Sequence, residues 1–308
     1  MDSALRVLIA GGQGQLGWEL RRQATRFNIT AVARDLPEID ITHPQSVARN
    51  LEAVTPRIVI NAAAYTQVDR AEQDVEAATA VNATGPGCLA EACSRAAIPL
   101  IHISTDFVFD GHSRRPYQEN HPVGPGGVYA QSKVAGETAV RGKAAAHIII
   151  RTAWLYGVHG QNFVKTMLRL AGEREEIKVV ADQHGCPTSA ADLAAAIWHI
   201  CGYITDSGKE NRAAPWGTYH YCGAGVTSWH GLAQAAIDLA GRHTPLKARR
   251  ITPIPAAQYP TPAQRPTYSA LDCTKIRRTF GLAIPPWQES LAAVIQRIYG
   301  DRPPSQPR

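Results

Sequence analysis

Five short runs, each nearly continuous in valine, isoleucine, leucine or alanine, recur through the first half of the chain: LRVLIA at 5–10, ITAVA at 29–33, RIVINAA at 57–63, IPLIHIST at 98–105 and HIIIRTAW at 147–154. A strand with one wet face alternates apolar and polar residues, whereas runs like these belong to strands covered on both faces. The stretches between them carry helix signals, among them a Pro44 start for a helix reaching about Val54 and an alanine-rich stretch from Glu72 to Ala97. Alternation of this kind predicts an α/β chain built on a Rossmann-type, doubly wound parallel sheet.

The first run opens into IAGGQGQLGWEL, where Gly11, Gly14 and Gly17 form G-x-x-G-x-x-G at the mouth of a helix. Glycines there let the backbone turn tightly and approach a pyrophosphate, and the helix start offers unpaired amides to an anion. A dinucleotide is the expected ligand. The usual fingerprint is G-x-G-x-x-G with an acid about 20 residues on; counted from Gly11 the spacing departs from it, and at the end of the second run a base precedes the acid. Arg34, at the end of the second run, suits the 2′-phosphate of NADPH, while the adjacent Asp35 suits a ribose hydroxyl of NADH.

Past residue 155 the pattern loosens into helical stretches near 228–240 and 287–299, with a loop YPTPAQRPTYS at 259–269. Residues 1–155 are expected to form the dinucleotide-binding domain, its sheet completed by later segments, and residues 156–300 mainly a smaller C-terminal α/β substrate-binding cap. No Gly/Ser-rich linker divides the halves, so the two are expected to interleave. The proline-rich DRPPSQPR at 301–308 reads as a frayed, disordered tail.

Composition excludes several classes. The opening MDSALRVLIAGG lacks a basic segment followed by a long apolar one, and no apolar run approaches the roughly 18 residues of a membrane span, so a cytoplasmic protein without membrane association is expected. The six cysteines show neither C-x-x-C nor zinc-ligand spacing and read as buried free thiols. The net charge of +6 is dispersed, with only short runs such as Lys247, Arg249, Arg250 and Arg277, Arg278, which does not make a nucleic-acid surface. An anionic small molecule explains it as well.

Tyr129 and Lys133, in VYAQSKVAGE, sit four residues apart on a predicted helix. One helix face then carries a phenol and an ammonium together, and a neighbouring cation lowers a tyrosine pKa towards the range useful for proton transfer. Ser104, Thr105 and Asp106 follow the fourth run, where sheets of this class present ligand-binding groups. The glycine turn, NAAAYTQVDRAE, STDFVFDG and YAQSK, in that order, resemble an extended short-chain dehydrogenase/reductase. Further on, RTAWLYG, NFVKTMLRLA, DQHGCPT, TSWHGLAQ and YPTPAQRP resemble the dTDP-4-dehydrorhamnose reductase family over nearly the whole chain.

That resemblance implies an NAD(P)H-dependent oxidoreductase that reduces the C4 keto group of dTDP-4-dehydro-6-deoxy-L-mannose to dTDP-L-rhamnose. It casts Tyr129 as proton donor, Lys133 as holder of the nicotinamide ribose, and Thr105 as a second ligand of the C4 oxygen. Gly14, Gln15 and Leu16 would line the pyrophosphate, Asp40 and Ile41 the adenine, and Ala64, Tyr65 and Thr66 the ribose and nicotinamide, with Ile103 flanking the ring. Asp106 and Trp154 are the expected substrate contacts. Arg265 either grips the diphosphate or ties down its own loop. Some members hold magnesium with acids at a dimer contact; Glu19 matches one such acid, but Ala191 stands where a second is expected, with Asp192 one residue later. The expectation is a homodimer without an obligatory bound metal, leaving open a magnesium effect through the substrate diphosphate. Related readings are another nucleotide-sugar 4-keto reductase or epimerase, and a non-catalytic cofactor-binding regulatory subunit. Asn82 is expected to fix backbone geometry beside the cofactor site and Asp69 to cap or orient the turn after NAAAYT, while His102, His184 and His220 lack ligand-like spacing and none is expected to be catalytic.

Overall fold

The computed structural model describes residues 5–209 and 213–300; the tail read at 301–308 lies outside the described residues. Strands β1 (Leu5–Ala10), β2 (Ile29–Arg34), β3 (Ile58–Asn61), β4 (Leu100–Thr105) and β5 (His147–Thr152) fall within or overlap the five apolar runs. Beyond two-residue strands, the described second half adds β6 (Glu176–Val180), β7 (Gly217–His220) and β8 (Arg250–Ile254). One six-stranded sheet runs in the order β7-β5-β4-β3-β1-β2, and every pairing in it is parallel. The chain thus fills one side of β1 with β2 and the other with β3 onward. That reversal opens a crevice beyond the carboxyl ends of β1 and β3.

The longer helices among the described residues are α1 (Gln15–Gln23), α2 (Pro44–Val54), α3 (Gly85–Arg95), α4 (Val128–Lys143), α5 (Phe163–Glu173), α6 (Ala190–Lys209), α7 (Trp229–Gly241), α8 (Thr274–Phe280) and α9 (Trp287–Tyr299). Alternate β1 side chains explain the continuous apolar runs. Val7 and Ile9 pack with Leu16 and Leu20 of α1 and Leu193 and Trp198 of α6, while Leu8 and Ala10 pack with Val47 of α2, Leu89 of α3 and Val140 of α4. Both faces are therefore dry. The Trp198 indole donates to Leu20 O at 3.1 Å, fastening α6 to α1.

The second half contributes β7 and α6 to this first unit, and elsewhere builds cores of its own. Tyr156, Leu168, Leu232, Trp287 and Leu291 gather α5, α7 and α9, and β6 pairs in parallel with β8 beneath them. No described helix is long and apolar enough to cross a membrane.

Two local departures from the sequence reading bear on the site. The alanine-rich stretch is broken into a short helix at Val75–Thr79, a π-helical turn at Ala80–Thr84 and α3. The cause is Asn82, whose side chain turns inward to clamp both the N–H and the carbonyl of Tyr65. A wide π turn accommodates that inward residue, and α4 closes on it so tightly that a Cβ at Gly136 would lie 2.1 Å from Asn82 O. The fifth run, read to 154, ends as a strand at Thr152, because Trp154 adopts φ +46°.

Candidate active site

The glycine turn divides into closed and open positions. Gly11 has φ +84°, and a Cβ there would lie 2.4 Å from Ala63 N; one on Gly17 would lie 2.1 Å from Gly11 O. At Gly14 the nearest atom to such a Cβ is 3.5 Å away, and α1 starts there with no side-chain cap. The first amides of α1 are thus left for an anion. Gly17→Ala should force α1 off the turn, with a stability loss of about 1–3 kcal/mol and loss of dinucleotide binding, read by thermal melts with and without NADPH. Undiminished NADPH binding would show that this turn is not the cofactor loop.

Around the turn, Gly11 N and Gly12 N both donate to Arg34 O. Asp35, offered above as a ribose ligand, already accepts from Gln13 N and Leu36 N, each at 3.0 Å. Its carboxylate braces the turn. Arg34 is only loosely paired, 3.6 Å from Glu38, and partly exposed. Gln15 accepts from Asn162 at 2.9 Å, and Leu16 points into the core rather than outward. Asp40 is bound by Thr42 and His43 in the turn entering α2, and Ile41 packs against Gly85. Ala64, Tyr65 and Thr66 follow β3, Tyr65 being held through its backbone by Asn82, with the Tyr65 hydroxyl donating to Asp74 at 3.0 Å.

At the end of β4, the Thr105 hydroxyl donates to Asp106 Oδ1 at 3.1 Å and accepts from Phe107 N at 3.2 Å. Tyr129, at the start of α4, lies edge-on to Phe107 with ring centroids 5.7 Å apart. Lys133 is 2% exposed, and its ammonium donates to Ile103 O at 2.8 Å. Asp106 is equally buried, and its Oδ2 has no hydrogen-bond partner among the described residues; burial pushes its carboxyl up to about 6.

One expectation about this cluster is corrected. The Tyr129 phenol is not lowered but pushed up to about 12, first by burial, with the Thr105 hydroxyl pulling the other way and the Asp106 charge adding to the rise. Lys133 directs its ammonium at the β4 backbone instead of the phenol, and burial draws its own pKa down to about 8 despite the opposing pull of Glu137. The phenol therefore stays protonated at neutral pH.

Trp154 and Arg265 occupy closed arrangements. The Trp154 indole stacks on Trp229 with centroids 3.5 Å apart and covers Gly185, where a Cβ would come within 2.6 Å of the ring. A bulky residue at positive φ is strained. Arg265 makes a bidentate pair with Asp69 at 2.7 and 2.8 Å, which lashes its loop to the helical turn at Val68–Ala71. That loop walls a cavity of about 180 Å³ lined also by Tyr129, Phe107 and Gly127. Asp69, read as a local cap, instead anchors this distant loop.

Glu19 does not fit a divalent cation. It is 1% exposed, with Oε1 taken by Arg297 at 2.7 Å and Oε2 by Arg22 at 2.9 Å and Gln23 at 3.3 Å. Two guanidiniums repel what a cation site must attract. Asp192 turns to Ser290 at 2.5 Å, and Ala191 offers only its carbonyl, bound by Gln23.

Sequence reasoning missed Glu137, one turn beyond Lys133 and wholly buried. Its carboxylate accepts from Ser104 on β4 at 2.6 Å, from Arg151 on β5 at 2.8 and 2.7 Å, and from Arg141 at 3.0 Å. The continuing i+4 stripe Tyr129, Lys133, Glu137, Arg141 was the available signal.

The family model described as RmlD substrate binding domain matches residues 5–299. A dTDP-4-dehydrorhamnose reductase of Burkholderia thailandensis is 41% identical over 300 residues, covering 96% of this chain and 99% of its own. Crystal structures of that reductase from Clostridium acetobutylicum and, in complex with NADP, from Bacillus anthracis each superpose with a TM-score of 0.86 at 36% identity, covering 95% of this chain and 99% of theirs.

Proposed function

Since the chain belongs to the dTDP-4-dehydrorhamnose reductase family, we propose that its crevice binds NAD(P)H beside dTDP-4-dehydro-6-deoxy-L-mannose, with Tyr129 giving the proton that completes reduction to dTDP-L-rhamnose. When bound, the reduced nicotinamide supplies the hydride. The observation that carries the reading is the placing of the Thr105 hydroxyl and the buried Lys133 ammonium at the carboxyl end of β4, with the Tyr129 ring against Phe107 just after it.

The open side of the turn at Gly14 and the first amides of α1 hold the pyrophosphate. Arg34, with Asp35 already spent on Gln13, takes the 2′-phosphate, which makes NADPH the preferred donor. Asp40 and Ile41 border the adenine; Ala64, Tyr65 and Thr66 border the ribose; Ile103 and Lys133 fix the nicotinamide end. As hydride reaches C4, the carbonyl oxygen becomes an alkoxide, more basic than a phenolate of pKa about 12. Tyr129 surrenders its proton then, and Thr105 holds the same oxygen. Asp106 and Trp154 orient the sugar. Arg265 acts through Asp69, keeping the 259–269 loop over the cavity. Glu19 is a structural ion-pair partner, and no step passes through a metal.

Residues 1–155 with β7 and α6 are assigned to the cofactor, and the remainder of 156–300 mainly to the sugar nucleotide. A homodimer in the cytoplasm completes the reading, checked by light scattering at working concentration. The functional test is oxidation of NADPH and of NADH with the 4-keto sugar nucleotide generated in situ. Consumption with dTDP-rhamnose formed, faster with NADPH, is expected; product without net consumption would instead indicate epimerisation.

A further inference from the structure

Beneath the site lies a charged cluster that this reaction does not use directly. Glu137 receives four donors, two on each oxygen: Ser104 and Arg151 Nε on Oε1, Arg151 Nη2 and Arg141 on Oε2. Every donor but Arg141 is itself almost fully buried. Burial alone would push this carboxyl up, yet Arg151, Ser104 and Arg141 hold it at about 2, so it is a permanent anion.

Its attachments are what matter. Ser104 adjoins Thr105 on β4, Arg151 stands on β5, and Glu137 lies one turn from Lys133 and two from Tyr129 on α4. We infer that Glu137 is a positioning residue for the reduction: it sets the α4 face bearing Tyr129 and Lys133 in register with Thr105, and its charge balances the Lys133 ammonium. This rests on the reductase reading.

The groups around Lys133 support one source for that balance. On its own helix lie Tyr129, Glu137 and Arg141; on and after β4 lie His102 and Asp106; on β5 lies Arg151. His102 is buried and held well below its ordinary pKa, first by burial and then by Lys133, so it stays neutral. At the ends of α4, Glu72 accepts from Val128 N and Glu91 pairs with Lys143, both away from the ammonium. Glu137 is the group whose charge raises the Lys133 pKa against desolvation.

The test is kcat against pH for wild type, Glu137→Gln, Glu137→Asp and the double variant Glu137→Gln/Arg151→Gln, with NADPH affinity followed by fluorescence over the same range. In wild type both quantities should fall as pH rises through about 8, where Lys133 loses its proton. In both Gln variants the fall should begin about one pH unit lower, roughly tenfold less ammonium at any pH well above both midpoints. Glu137→Asp, which keeps the charge, should restore the wild-type limb. Should Glu137→Gln fail to fold with Arg151 uncompensated, the double variant decides, since replacing a whole buried pair is often tolerated. Folded Gln variants with the wild-type alkaline limb would overturn the inference. Absence of turnover in wild type would count against the reductase reading instead, and the NADPH affinity limb would still report on Glu137.

Discussion

Tyr129→Phe should lower kcat by about 10²- to 10⁴-fold, the usual contribution of a positioned proton donor, while NADPH still binds. The substitution removes one oxygen and keeps the ring that meets Phe107 edge-on, so packing is conserved. Thr105 remains to polarise the carbonyl, which leaves a residual rate. Single-turnover kinetics with cofactor and substrate both saturating would separate the lost chemical step from binding. Near-normal turnover in this variant would mean that another group, or water, delivers the proton. Reduction requires the acid form of the phenol, and burial of Tyr129 favours that form.

Arg151→Met should be the most destabilising single change near the site. It strips two of four donors from Glu137, a carboxylate with no exposure, and breaking one side of a buried pair costs about 3–5 kcal/mol. Denaturant unfolding would measure it; an unchanged midpoint would show that Ser104 and Arg141 suffice. A pH corollary follows from linkage. The folded-state pKa of Glu137 lies near 2, below its ordinary 4.5. Its contribution to stability is therefore present above about 4.5 and is lost as pH falls towards 2. Wild type should lose more stability across that acid window than Arg151→Met, whose carboxyl is less depressed.

The sheet was legible because doubly covered strands cannot hide their composition: Val7 and Leu8 face opposite layers, both dry, and the run reads as unbroken apolar sequence. The glycine turn was legible because no other residue fits at Gly11 or Gly17. What escaped was long-range polar pairing. Nothing local marks Asp69 as the partner of Arg265, 196 residues away, or Glu19 as the partner of Arg297, 278 away. The tyrosine shift was misjudged for the same reason. Spacing on α4 puts Lys133 near Tyr129, but burial, and the Ile103 carbonyl that takes the ammonium, depend on the sheet beneath. A single inward asparagine, Asn82, likewise converted a predicted helix into a π turn.

The central claim is that hydride passes from the reduced nicotinamide to C4 of the sugar. Turnover with NADPH deuterated at the transferring carbon, each face in turn, followed by NMR and mass analysis of the sugar nucleotide, tests it most directly. The account requires dTDP-L-rhamnose carrying one deuterium at C4 from one labelled face alone. Product without deuterium, or with it at another carbon, would contradict the account.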